Sequence, residues 1–308
     1  MLPRAGGAQE PGRIYRVGPV MTVPLTDATI ATVLEELGRI GFVQGKNLTV
    51  DPRGLSLQPD RMAAVARELA EAKVDLFLTG GGPAIRAVQA ATSSIPILGI
   101  ADDMVGEGLV GSLANRAGNT TGISLLSTEL DGKRQELLIE LLPNTKKMAM
   151  LADAAISAAE RLAALQARAR ASGVDAAIIA IAKPGELEDA LKRANAGGAG
   201  AVNILASPLL FAIRRQFFAL ASSLGMATMF QFAEGAREGA LAAYGPSLDA
   251  TFRQRGRQAA KLLRGAKPAD LPVEQPTTVK LALNLKLAKD LGITVPPPLL
   301  QRADEMIE

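Results

Sequence analysis

The sequence contains no cysteine, no histidine and no tryptophan. Without His or Cys there is no Ser-His-Asp triad, no thiol nucleophile and no zinc site built from nitrogen or sulfur ligands, which leaves oxygen ligands for a hard cation. Common hydrolase and redox chemistries are thereby set aside. No apolar run approaches the roughly 18 residues that a membrane-spanning helix needs. Charge is also scarce in one sense: Lys+Arg 34 against Asp+Glu 31 leaves a net +3 over 308 residues. That is a weak field without a long basic block, so nothing points to nucleic acid. The lack of thiols fits either side of a membrane. Residues 1–12, MLPRAGGAQEPG, are small and carry Ala8-Gln9 after a Gly-Gly pair, as the tail of an export signal cut at an A-x-A-like site would. No apolar h-region precedes them.

What is present is a chain with 48% hydrophobic residues, ample for sizeable cores. Its length corresponds to about two domains. From Ile14 onward, short apolar runs alternate with segments of helical period, the signature of βαβ units and a parallel sheet. The first series reads strand 15–20, helix 28–40, strand 47–50, helix 59–72, strand 75–78, helix 83–91 and strand 97–100. After Asn119-Thr120-Thr121-Gly122 the rhythm restarts with helix 129–141, strand 147–151, helix 157–171, strand 175–181, helix 186–194, strand 201–205, helix 209–223, strand 227–231 and strand 241–244. Helix 247–264, the Pro-containing stretch 265–278, strand 279–283, helix 286–291 and a last helix beyond Pro296-Pro297-Pro298 complete the chain. Two doubly wound α/β halves in series account for the pattern, with the tail shared between them. The expected division is 13–122 plus 248–276 for one lobe, and 123–247 plus 277–308 for the other.

In open parallel sheets, ligands bind beyond the carboxyl ends of the strands, at the point where strand order reverses. The strand-to-helix turns are therefore the places to search. Thr79-Gly80-Gly81-Gly82-Pro83 puts three residues without side chains before a helix, where backbone N–H groups and the helix dipole can receive a carboxylate. The same glycines equally serve a tight turn and close packing. The run is not a dinucleotide fingerprint, since position 85 is Ile85, and no glycine leads to Gly-Lys-Ser/Thr, so nucleotide motifs are missing. Asp102-Asp103 reads as a turn cap, or else as an acid pair. Asp153 and Glu234 sit in turns where each could meet a ligand or cap the chain. Six of the eight Phe fall between residues 211 and 252. Phe230 and Phe232 alternate onto one side of their segment, whereas Phe211, Phe217 and Phe218 are expected in the core. Arg253, Arg257 and Lys261 recur every four residues as a basic stripe, read as a solvated face or a dock for an acidic partner.

Several stretches taken together resemble a known family. They are 75–83 with Ala90-Ala91-Thr92-Ser93-Ser94-Ile95-Pro96-Ile97, Gly118-Asn119-Thr120-Thr121-Gly122-Ile123-Ser124 and Tyr244-Gly245-Pro246-Ser247. The tail adds 265–277, Asn284-Leu285-Lys286 and Ala303-Asp304-Glu305-Met306-Ile307-Glu308. From about residue 13 to the end the chain resembles the substrate-binding proteins of ABC importers in the tryptophan/tyrosine-type group. The resemblance implies a periplasmic-binding-protein type I fold: two Rossmann-like lobes joined by three crossovers, with the ligand cleft between them. It further implies no catalysis, no cofactor and no metal, an extracytoplasmic location, monomeric action, and delivery of an aromatic amino acid or aromatic or organic carboxylate to permease subunits. On that basis Thr22, Gly80, Gly81, Gly82, Asp103, Asp153, Ser207, Phe230 and Phe232 are expected to contact the solute, with hinges at Gly122, Ser124, Gly245 and Gln275. The chain departs from the family pattern at Gly82, at Asp103-Met104, at Ala152-Asp153, at Ser207-Pro208 and at Gln231. These departures disfavour an amino group and favour a carboxylate or a neutral solute. The alternatives are a cytoplasmic ligand sensor, or an enzyme on the same scaffold with Asp103 or Asp153 as general base.

Overall fold

The computed structural model describes residues 12–25, 27–114 and 117–308. The signal-like stretch at residues 1–12 lies, apart from Gly12, outside the described residues. The chain opens with β1 (Tyr15–Val20), α1 (Ala28–Arg39), β2 (Leu48–Val50), α2 (Met62–Glu71), β3 (Leu76–Gly80), α3 (Gly82–Ala91), β4 (Ile97–Ala101) and β5 (Thr120–Ser124). Next come α4 (Asp131–Leu141), β6 (Lys147–Asp153), α5 (Ala159–Ala171), β7 (Asp175–Ile181), α6 (Leu187–Ala196), β8 (Ala201–Ile204), α7 (Pro208–Ala212), α8 (Arg214–Ser223), β9 (Ala227–Phe230), α9 (Gly235–Glu238) and β10 (Ala242–Pro246). The chain ends with α10 (Leu248–Leu263), β11 (Val279–Asn284), α11 (Leu285–Asp290), α12 (Pro297–Arg302) and β12 (Glu305–Ile307).

These elements form two compact units, Met1–Leu125 with Asp249–Pro276, and Leu126–Leu248 with Thr277–Glu308. The first unit holds a parallel sheet of order β2-β1-β3-β4-β5. Its central strands are sealed on both faces, with Val17, Leu76, Phe77, Ile97 and Leu98 inaccessible, as parallel strands between helices must be. Helix α1 illustrates the local logic. Asp27 caps it by accepting from the Thr29 N–H at 2.9 Å, and Ile30, Val33 and Leu37 recur at helical spacing to form its buried face. Helix α10 packs on this sheet through Arg255, whose guanidinium is buried and donates to the carbonyl oxygens of Thr79 (2.6 Å) and Leu98 (3.0 Å). Burial lowers its pKa to about 9. Gln258 adds a bond to the Gly122 carbonyl at 3.3 Å.

The second unit holds a seven-stranded sheet of order β12-β11-β10-β9-β8-β6-β7. It is parallel except between β10 and β11, which run antiparallel. Leu137, Leu138 and Leu141 of α4 cover Met150, Met229 and Ala242 in its core.

Three local expectations need correction. The stretch 120–124 is a strand and not an interruption. It lacks the usual apolar run because its hydroxyls are satisfied internally: Thr121 Oγ1 donates to the Leu271 carbonyl at 3.0 Å, and Thr120 Oγ1 accepts from Gln89 at 3.0 Å. The expected helix 209–223 is broken at Ile213 into α7 and α8. There the Arg214 guanidinium takes the Phe211 carbonyl at 3.0 Å and lies 4.2 Å over the Phe211 ring. Finally, the chain ends in a strand, β12, paired in parallel with β11.

Candidate functional site

Strand order reverses between β1 and β3 in the first unit, where Val20 and Thr79 are register partners. The loops leaving these two strands are the natural ligand-facing segments. Thr22 is exposed in the first of them. In the second, Gly80 ends β3 and Gly81 caps α3 with φ 85°, a left-handed conformation that glycine tolerates best. The Gly81 N–H already donates to the Ile100 carbonyl at 2.8 Å.

The space beside Gly82 is filled as well. A Cβ placed there would stand 2.1 Å from Glu107 Oε2 and 2.9 Å from Arg86 Nη2. Glu107 is carried to this position by a loop whose apolar anchors, Met104 and Leu109, are buried against Ile85, Ala101 and Val273. Arg86 holds the loop by donating to the Glu107 carbonyl at 3.2 Å, and the two side chains lie 3.9 Å apart. Burial pushes the Glu107 carboxyl above the usual carboxylate value; a backbone hydrogen bond at Asp103 and the Arg86 charge oppose this, while Asp102 and Asp103 add to it. The glycine turn, expected to await a ligand carboxylate, thus carries a carboxylate of the protein. Asp103 caps its own turn, with Oδ1 accepting from the N–H groups of Val105 (3.1 Å) and Gly106 (2.8 Å).

In the second unit, β6 and β8 are neighbours while β7 lies outside them, so the reversal falls between β6 and β8. The expected residues Asp153 and Ser207 meet there. The Ser207 hydroxyl donates to Asp153 Oδ2 at 2.6 Å, and Oδ1 accepts from the Ala155 N–H at 2.9 Å. Ser207 also caps α7 by accepting from the Leu210 N–H at 3.3 Å. Beneath this turn lies a buried network with no signal in the sequence. Asp131 pairs with Arg134 and Arg161. Asp131 also accepts from the Ala206 N–H at 3.2 Å, and its own carbonyl accepts from the Asn203 amide at 3.2 Å. Arg134 donates further to the carbonyls of Ser127 (2.5 Å) and Tyr244 (3.2 Å). Asp131 and Arg134 are neighbours on α4, but Arg161, Asn203, Ala206 and Tyr244 come from distant parts of the chain, so only the fold completes the network.

Phe230 and Phe232 belong to one aromatic stack, and both are buried. Phe230 is 1% exposed and packs edge-on against Phe218, with centroids 5.1 Å apart, as an interior residue of its lobe. Phe232, beyond the end of β9, meets the half-buried Phe211 edge-on at 5.5 Å. Gln231 between them is 3% exposed. Glu234 accepts from the Ser247 hydroxyl at 3.1 Å, linking the chain after β9 to that after β10.

Among the positions expected at hinges, Gly122 and Gly245 lie inside β5 and β10. Each allows a close backbone approach, since a Cβ at Gly122 would be 1.9 Å from the Gly99 carbonyl oxygen and one at Gly245 would be 1.9 Å from that of Gln231. Ser124 is buried, donating to the Asp102 carbonyl at 3.2 Å and accepting from the Met104 N–H at 3.1 Å. Gln275 is exposed, next to Glu274, which bridges to β5. The division between the units falls at 125/126, 248/249 and 276/277. At the first of these Leu126 has φ 50°, unusual for a residue with a side chain.

No curated protein matches the sequence significantly. Several solved structures share the fold. A conserved domain protein from Vibrio cholerae O1 biovar El Tor superposes with TM-score 0.83 at 24% identity, covering 96% of this chain and all of the other. A Streptococcus pneumoniae ABC domain in complex with L-Trp gives 0.79 at 22% identity, covering 95% and 100%. A Clostridium difficile substrate binding protein with adhesive properties, in its ligand-free open structure, gives 0.64 at 22%, covering 96% and 99%. The family described as ABC transporter substrate binding protein matches residues 17–307. With that match spanning nearly the whole chain, and a two-lobed α/β fold of the periplasmic-binding-protein kind, the protein belongs to the ABC transporter substrate binding protein family.

Proposed function

We propose that this protein captures a small organic solute outside the cytoplasm and delivers it to the permease of an ABC importer. The family membership over residues 17–307 carries the reading. Each lobe contributes the loops beyond the carboxyl ends of its strands: Thr22, the 80–82 turn with Glu107, and Asp103 from one; Asp153, Ser207, Gln231 and Phe232 from the other. Closure of the lobes on the solute is a population shift, driven by the solute's greater affinity for the closed form. The chain segments that bend are proposed at Leu125-Leu126, Leu248-Asp249 and Pro276-Thr277, where the two units divide. Gly122 and Gly245 are too tightly packed for that role.

An aromatic solute is supported by the edge-on Phe211–Phe232 pair and by the L-Trp bound to the pneumococcal relative. Catalysis by Asp103 or Asp153 finds no support, because both carboxylates are engaged in internal hydrogen bonds. The test is a thermal-shift screen of aromatic amino acids, aromatic acids and neutral aromatic amides. A binder at a hundredfold excess over its Kd stabilises by about 2.7 kcal/mol. Turnover of a solute without any stabilisation would refute the binding role.

A further inference from the structure

The two sheets end in β2, β5, β12 and β7. β2 and β12 have three residues each, and the outer side of β5 is covered by Glu274, which accepts from the Ser124 N–H and donates to the Gly122 carbonyl, both at 2.9 Å. β7 is longer, with seven residues, and pairs only with β6. The Asp175 N–H and the Ile181 carbonyl turn toward β6, bonding to the Lys146 carbonyl at 2.8 Å and the Ala154 N–H at 2.9 Å. Backbone groups of alternate strand residues point to opposite edges, so Ala176, Ile178, Ala180 and Ala182 present theirs outward. The ends of this outer row are closed by the chain's own side chains: Gln166 donates to the Ala176 carbonyl at 2.9 Å, and Glu186 accepts from the Ala182 N–H at 2.8 Å. Between them, the N–H and carbonyl groups of Ile178 and Ala180 have no partner among the described residues. From 176 to 182 every residue is Ala or Ile, with none of the lysines or prolines that commonly protect an open edge.

We propose that β7 pairs antiparallel with β7 of a second copy of this chain, about a two-fold axis at Ile179, so that the protein forms a dimer and does not act as a monomer. The free backbone groups select the register. With Ile179 opposite itself, Ile178 of each copy lies opposite Ala180 of the other, and these two residues exchange both of their backbone bonds. Centring the pair on Ile178 would instead set Ala180 opposite Ala176, whose carbonyl Gln166 already occupies. Charge selects the same register, because it sets Asp175 of one copy opposite Lys183 of the other. Asp175 is exposed and has no ion pair among the described residues. The Lys183 side chain is 73% exposed, on extended backbone, and lies 3.9 Å from Glu186. The two-fold axis repeats the Asp175–Lys183 pair at both ends, and opposite charges facing across antiparallel strands stabilise their pairing.

The chain has no cysteine, so a single introduced thiol reports on its own counterpart in the second copy. Ile179→Cys in the full chain should form an interchain disulfide on air oxidation, since residues directly opposite in an antiparallel pair lie within the Cα separation that a disulfide needs. Ala177→Cys, which would face Ile181 of the second copy, should not. In sedimentation equilibrium, Asp175→Lys or Lys183→Asp alone places like charges together at both ends and should weaken dimerisation about tenfold, and the double variant should restore it. An Ile179→Cys protein that cross-links no more than Ala177→Cys overturns the pairing. So does a chain that stays monomeric at every concentration, or a dimer indifferent to the charge reversals.

Discussion

Glu107 gives the first lobe a pH signature. Its carboxyl is held above the ordinary value chiefly by burial, so between that value and the raised one the native state holds more protons than the unfolded chain. Stability therefore falls as pH rises through this window, and the penalty is complete above it. Glu107→Gln should raise Tm at pH 7 and change it little at pH 4; an equal rise at both would show that the charge is not responsible. Ser207→Ala removes a donor to the buried Asp153 and a helix cap together. The expected loss is about 1–3 kcal/mol by urea denaturation. Gly122→Ala should cost at least about 2 kcal/mol, because its Cβ would overlap the Gly99 carbonyl. A neutral result there would mean that β5 can shift away from β4. The sequence already pointed to Asp103 as a turn cap and to Asp153 and Ser207 as turn residues. Glu107 was not legible, because it reaches the glycine turn only through a loop pinned by Met104 and Leu109, neither of which signals a site.

Among the elements, α10 shows how a pattern is read correctly and its purpose is not. Arg253, Arg257 and Lys261 do recur on one stripe; Lys261 is solvent-exposed, whereas Arg253 and Arg257 are engaged by acidic residues of the chain itself. Arg253 pairs with Glu35 (3.2 Å) and Glu36 (3.7 Å) of α1 and with Asp249 (3.0 Å), and Arg257 pairs with Glu36 at 3.3 Å. Periodicity identifies a face, whereas its partner is a helix more than two hundred residues earlier. Exposed pairs are worth about 0.2–1 kcal/mol each and are screened by salt. Arg253→Ala should therefore lower Tm at low ionic strength, and most of that loss should vanish in 1 M salt. A loss unaffected by salt would assign the effect to packing of the arginine stem. The strand β5 escaped the sequence pattern for the converse reason: its threonines and serine are buried but bonded internally, so burial left no apolar trace.

The whole molecule invites a prediction about motion. With a saturating binder from the thermal-shift screen, small-angle scattering should give a smaller radius of gyration than the unliganded protein; an unchanged value with confirmed binding would exclude lobe closure. The alternation of apolar runs and helical periods was enough to specify α/β layers and most strand positions, since burial between helices forces Val, Ile and Leu into short runs. Neither pattern could state which loops become neighbours. Asp153 meets Ser207 because β6 and β8 pair in the sheet, and Glu107 covers Gly82 because two buried apolar residues anchor its loop. Local sequence encodes the period of an element, and contacts between residues distant in the chain arise only when the cores close.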